Sequence, residues 1–254
     1  MTDDILGFNN LTKALSFNLY DFAVALNDDE RASYIRYIDE RYSARQMEAL
    51  LIRIASIIDA EVLSVSSKDF DPYGASVVLL MSDIKGAEAT QQANLMSQST
   101  VSIHLDKSHI CAHTYPDSLD PSGICSFRVD IDIATCGSIS PLYALDFMFK
   151  SFESDVVCVD YVVRGFARNK QHEKIYIDHP INSISDFVSP RILKEYETFD
   201  KNFSEHSTFQ TTFQRKELDE SSYFRNPRLV PKDVADYKMK LIRAEMESVA
   251  KLLK

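Results

Sequence analysis

Residues 104 to 117 read HLDKSHICAHTYPD, which sets His109, Cys111 and His113 behind Ser108, with Lys107 immediately before it. A serine or thiol hydrolase would use Ser108 or Cys111 as nucleophile and His109 or His113 as base. That chemistry needs a nucleophile on a sharp turn beside an oxyanion hole, and the stretch has neither a G-x-S-x-G elbow nor a glycine-rich cradle. Metal binding by His104, His109 and His113 fails on geometry, because their spacings of five and four do not set three ligands on one face of a strand. By pattern alone the stretch is a buried strand with satisfied polar groups. Cys111, Cys125, Cys136 and Cys158 include no CxxC pair, so reduced thiols are expected.

The elements around this stretch follow from periodicity. ALSFNLYDF, residues 14 to 22, places Leu15, Phe17 and Leu19 at period two and reads as a strand, followed by two helices. The second helix starts with Ser43 and Gln46 in capping-box spacing, and Met47, Leu50, Leu51, Ile54, Ile57 and Ile58 make one buried face. EVLSVS at 61 to 66 and ASVVLLMS at 75 to 82 are strands joined by the turn-rich KDFDPYG. Residues 83 to 99 are polar and aperiodic, a mobile surface loop, and TVSIHL and HICAHTY read as extended segments on either side of Lys107 and Ser108.

SFRVDIDIATC, residues 126 to 136, alternates Phe127, Val129, Ile131 and Ile133 against Arg128, Asp130 and Asp132, a half-buried strand. Pro141 opens a helix with Leu142, Leu145, Met148, Phe149 and Phe152 on one face, and DVVCVDYVV returns as a strand. From Ser189 the order is lost until a last helix striped by Met239, Ile242, Met246, Val249 and Leu253. The expected fold is α+β, a two-layer α/β sandwich with an antiparallel sheet packed by helices on one face and with N- and C-terminal helical additions. Residues 1 to 254 read as one domain, with 190 to 254 as a C-terminal extension.

Composition narrows the function. Hydrophobic residues make up 45% of the chain, enough for a large core. The net charge of −10 disfavours nucleic acid and anionic membranes, and the basic RGFARNK stretch ending at Lys170 is too short to reverse it. No apolar run nears the ~20 residues that cross a bilayer, and MTDDILGFNN lacks signal-peptide character, so a cytoplasmic location is the expectation.

Three separated blocks, HLDKSHICAHTYPD, PYGAS at 72 to 76 and ATCGSISPL at 134 to 142, occur in an order that resembles the pyruvoyl-dependent S-adenosylmethionine decarboxylase proenzymes of the longer bacterial type. GFNNLTKALSF at 7 to 17 and RGFARN ending at Asn169 are similar to the same group, and the likeness spans about residues 5 to 190. The resemblance implies self-cleavage between Lys107 and Ser108, into a β chain of 1 to 107 and an α chain of 108 to 254. Ser108 would become a covalent pyruvoyl group that takes the amino group of S-adenosylmethionine as a Schiff base and drains charge as carbon dioxide leaves. The product would supply aminopropyl groups for spermidine.

The same resemblance carries roles onto matching positions. Ser76 and His113 would assist processing, and Cys136 would be the proton donor in turnover. Phe70 and Tyr115 would sandwich adenine, and Asp117, one methylene shorter than the glutamate usual in shorter relatives, would face the ribose. Magnesium activation and assembly beyond the dimer are also implied. Asp106, Asp130 and Asp132 are hard-oxygen donors, but no metal site is read from them.

One expectation comes from spacing. Ser108 and His113 are five positions apart, so an unbroken strand points them to opposite faces, about 16 Å apart. His113, with Ser76, would therefore serve the Ser108 of a second protomer in a homodimer with shared sites. Two rival functions stand beside this one, a pyruvoyl enzyme for arginine or ornithine and a non-processing regulatory paralogue. Retention of Phe70, Tyr115 and an acid at 117 weighs against the first, and intact Ser108, Ser76, His113 and Cys136 against the second.

Overall fold

The computed structural model describes residues 11–82, 108–136, 139–152, 154–169, 171–177 and 179–252. The expected loop at 83 to 99, the extended TVSIHL, His104, Asp106 and Lys107 lie outside the described residues, as do the GFNN of GFNNLTKALSF, Gly137 and Ser138 of ATCGSISPL, Lys170 and Leu253. Among the described residues no helix is long and apolar enough to cross a membrane.

The centre of the fold is β1, Thr12–Val24, longer at both ends than its apolar alternation indicated. It pairs on one side with β5, Ile124–Cys136, and on the other with β6, Val156–Arg164. Hairpin strands β2, Glu61–Asp69, and β3, Ala75–Ser82, lead to β4, Ser108–Asp117, which pairs with β5. With β9, Tyr196–Asp200, and β10, Thr208–Arg215, they form one eight-stranded sheet in the order β2-β3-β4-β5-β1-β6-β10-β9, antiparallel at every pairing. A two-stranded ribbon, β7 at Ala167–Arg168 and β8 at Lys174–Ile175, stands apart.

Helices α1, Asp28–Arg41, α2, Ala44–Ile57, and α3, Leu145–Ser151, share one hydrophobic core with one face of the sheet. Every second residue of the central strands is buried there: Leu15, Phe17 and Leu19 on β1, and Phe127, Val129, Ile131 and Ile133 on β5. The even positions of β5 face away, so the period-two reading of 126 to 136 holds residue by residue.

A second core gathers Phe22, Val24, Ile124 and Val156 with Ala235, Met239, Ile242 and Met246 of the last helix, Lys232–Leu252. These strand residues have the opposite parity to Leu19, Phe127 and Val157. The C-terminal helical addition therefore covers the other face of the sheet, at its β1–β5–β6 end.

Three local expectations are corrected. Ser43 stands at the N-cap of α2 but its side chain makes no capping hydrogen bond, so the box with Gln46 does not form. Asp69 meets that helix end instead, accepting the Ala44 amide at 2.6 Å. The helix expected from Pro141 begins as a 3-10 turn, Pro141–Ala144, before α3. The loss of order after Ser189 is also wrong: α4, Pro190–Glu195, leads into β9, and β10 follows. TFQTTFQR looks polar, yet Phe209, Thr211 and Phe213 all reach buried positions, because threonine suits a half-buried pleat.

Candidate active site

The end of the β2–β3 hairpin is fixed by glycine. Gly74 has φ of 100°, and a Cβ there would lie 2.9 Å from the Thr114 carbonyl oxygen, so both the backbone conformation and the close approach require its absence. Phe70 donates its amide to Gly74 at 2.8 Å, and Ala75 donates to the Thr114 hydroxyl at 2.7 Å. This lock sets the register in which Ser76 faces His113 directly across β3 and β4.

The sheet face without the α1–α3 layer carries most of the motif side chains. β4 alternates without a break: Ser108, Ile110 and Ala112 turn into the helical core, whereas His109, Cys111, His113 and Tyr115 turn the other way. The register of β4 against β5 shifts nowhere between His109 and Asp117, so no bulge returns Ser108 and His113 to one face. Ser108 is only 1% exposed, and its Oγ accepts the Cys136 amide at 3.3 Å across 28 positions of sequence. The site residues thus fall into two groups within one protomer: Ser108 with Cys136 at one end of β4, and Ser76, His113, Tyr115 and Phe70 toward the other.

Phe70 and Tyr115 are 46% and 49% exposed, open enough to receive a planar ligand. Tyr115 has its ring 6.4 Å from His113. Asp117, at the exposed end of β4, accepts the Leu119 amide at 2.9 Å.

Arg128 was legible only as a polar strand position. Its guanidinium lies 5.2 Å from the Tyr115 ring centre and 5.9 Å from that of Tyr20, and it donates through Nε and Nη2 to both carboxylate oxygens of Asp130. That pair raises the arginine's pKa further above its ordinary value. The i,i+2 spacing of Arg128 and Asp130 on one strand face was the signal available.

The next row inward is acidic. Ser16 donates its hydroxyl to Asp132, and Gln210 donates to Asp160 at 2.6 Å. Burial, with Asp132 adding repulsion, raises the Asp160 carboxyl above the usual range. Ser16, Asp132, Asp160 and His109 line a shallow cleft of about 260 Å³. Among the described residues no three His, Cys, Asp or Glu side chains are grouped to hold a metal ion. The larger cavity, about 600 Å³, lies elsewhere, between the Asp21 end of β1, Tyr34 and Tyr223, and none of the motif residues lines it.

The thiols differ. Burial raises Cys125 and Cys158 to about 11, and burial and Asp132 raise Cys111, so all three are neutral at physiological pH, unlike an activated hydrolase nucleophile. Cys136 ends β5 partly exposed, its amide on Ser108 Oγ and its thiol on the face away from the α1–α3 core.

Residues 39–165, which include Ser76, Ser108, His113 and Cys136, match the family model for S-adenosylmethionine decarboxylase. A protein of Stenotrophomonas maltophilia named S-adenosylmethionine decarboxylase proenzyme is 48% identical over 217 residues, 85% of this chain and 82% of that one. A protein of the same name from Xanthomonas campestris is 46% identical over the same shares. The solved adenosylmethionine decarboxylase of Aquifex aeolicus aligns with 69% of this chain and 100% of its own at 18% identity and a TM-score of 0.35, so the fold described above rests on this chain alone. With that identity over most of its length, the chain belongs to the S-adenosylmethionine decarboxylase family.

Proposed function

We propose that this chain is a proenzyme that cuts itself before Ser108 and then decarboxylates S-adenosylmethionine, acting as one domain. The observation that carries the reading is the hydrogen bond from the Cys136 amide to Ser108 Oγ, which joins the cofactor precursor to the backbone of the proton donor. Ser108 suits such a precursor: it is screened from water and its hydroxyl is held by the Cys136 backbone amide, while the Cys136 thiol takes the other face of the sheet. The pyruvoyl group derived from it supplies an electron sink conjugated to the substrate nitrogen, which side chains alone lack.

The chain's own residues do the rest. Cys136 Sγ delivers a proton to the carbon that loses carbon dioxide. Tyr115, with Arg128 behind it, offers a ring face to adenine, and Phe70 offers the second wall. Asp117 stands at the exposed strand end for the ribose hydroxyls.

β4 keeps His113 and Ser76 on the opposite face from Ser108 of their own protomer, which supports assigning them to the Ser108 of a second copy. A second copy stacked on the open face about a two-fold axis brings its His113–Ser76 end over the Ser108–Cys136 end of the first. Because His113 and Ser76 act in processing, this arrangement requires Ser108 Oγ to turn from the helical side toward the open face before the bond is cut. The dimer is therefore the functional unit.

The test is carbon dioxide release from purified protein offered S-adenosylmethionine, arginine and ornithine separately, alongside a denaturing gel. Release from S-adenosylmethionine alone, with two bands below 28.9 kDa, is expected. Release from arginine or ornithine would replace the substrate assignment, since a substrate without adenine has no use for Phe70 and Tyr115. A single uncut band without release would favour the regulatory paralogue.

A further inference from the structure

Asp117 is the last residue of β4 and is paired there on one side only, with Ser126 of β5. Its carboxylate takes its direction from the connection that follows, because Oδ1 accepts the Leu119 amide at 2.9 Å. Whatever holds residues 118–123 in place therefore sets where that carboxylate stands.

Local sequence shapes the connection first. Asp120, Pro121, Ser122 and Gly123 are the residue types of a type I turn, and Gly123 donates its amide to the Asp120 carbonyl at 3.0 Å. The Asp120 carboxylate accepts the Ser122 amide at 2.6 Å. Gly123 has φ of 80°, and a Cβ there would lie 2.5 Å from the Ala25 carbonyl oxygen, so the turn sits tight against the end of β1.

Two cations then hold the connection from opposite layers. Arg31 of α1 donates Nη1 to the Ser118 carbonyl and Nη2, at 2.8 Å, to the Asp120 carbonyl, so one guanidinium fork takes the residues on either side of Leu119. Lys238 of the C-terminal helix, which covers the other face of the sheet, donates Nζ to the Ser122 carbonyl. Hydrogen bonds from Ser122, with Arg31 and Lys238 adding attraction, hold the Asp120 carboxyl below the usual carboxylate range. Leu119 is 77% exposed and Pro121 is exposed too, so this is surface chain, where water satisfies carbonyls without ordering two long side chains. What the charged donors contribute is a fixed conformation.

We propose that Arg31, seconded by Lys238, is a positioning residue for substrate binding: the clamp on residues 118–123 holds the Asp117 carboxylate where it meets the ribose hydroxyls. This rests on the assignment of Asp117 to the ribose and deepens it. It also gives the C-terminal helix a part in the site, through Lys238.

The experiment measures carbon dioxide release by purified, self-cleaved enzyme for wild type, Arg31→Met, Arg31→Lys, Lys238→Met, Asp117→Ala and the double variant Asp117→Ala with Arg31→Met. Each is offered S-adenosylmethionine and the analogue lacking both ribose hydroxyls, with a denaturing gel and a urea midpoint alongside. Arg31→Met should raise the KM for S-adenosylmethionine about threefold to tenfold with kcat within about twofold of wild type, as when ground-state binding is weakened. The same change should have no effect on the KM for the analogue or in the Asp117→Ala background. Arg31→Lys should recover part of the loss, and Lys238→Met should show the same pattern more weakly.

A wild-type KM in Arg31→Met would overturn the inference, whatever happens to the urea midpoint. So would a rise of equal size for both ligands or in the Asp117→Ala background, which marks a structural role not routed through Asp117. If wild type binds both ligands alike and Asp117→Ala keeps its KM, the ribose assignment itself falls, and the clamp's role with it.

Discussion

Co-expression of Ser108→Ala with His113→Ala tests whether one site draws on two protomers. Five residues of unbroken β4 separate the two side chains by about 16 Å and an odd step sets them on opposite faces, more than any pair of serine and histidine side chains can bridge. Each variant alone should stay uncut or nearly so. In a two-fold dimer each mixed pair holds one site with both residues intact and one with neither. If pairing is random, about half of the dimers are mixed, and roughly half of the His113→Ala chains, a quarter of all chains, should be cut. Distinct affinity tags isolate the mixed dimers, and intact mass counts the cut chains. Mixed dimers that remain whole, or His113→Ala chains that process alone at the wild-type rate, would show that the site is complete within one protomer.

Cys136→Ser should still cut itself but lose turnover by about 10²-fold or more, because a hydroxyl is a poorer acid than a thiol at the same place; a gel and a carbon dioxide assay separate the two steps. Arg128→Met should raise the KM for S-adenosylmethionine about threefold to tenfold with kcat less affected, since it removes the cation behind Tyr115; an unchanged KM would dissociate Tyr115 from adenine. Tyr223→Phe removes the hydroxyl that donates to Asp155 at 2.5 Å. Burial already raises the Asp155 carboxyl, so the native state binds that proton more tightly than the unfolded chain and stability falls as pH climbs from the ordinary carboxylate range through the raised value. Losing the donor raises it further, so urea midpoints should show a cost of about 1–3 kcal/mol at pH 7 and a smaller one at pH 4; equal costs at both would contradict this.

Part of the site was legible because its signals are local. The alternation of 126 to 136 placed Phe127, Val129, Ile131 and Ile133 inward, and the odd spacing of Ser108 and His113 placed them on opposite faces; both depend only on strand period. The motif blocks carried the family in the same way, since each is contiguous and they keep their order. β9 and β10 were missed because their strand character comes from pairing with β6, not from an apolar pattern in TFQTTFQR.

Which residues share a row across the sheet was decided by tertiary structure alone. Arg128 beside Tyr20, and Lys13 opposite Thr135, come from the register of β1 against β5, segments more than a hundred positions apart. Side-chain period tells which face a residue takes, but register is fixed by the hairpin lock at Gly74 and by the burial of a whole face at once, and neither is a property of any single stretch of chain.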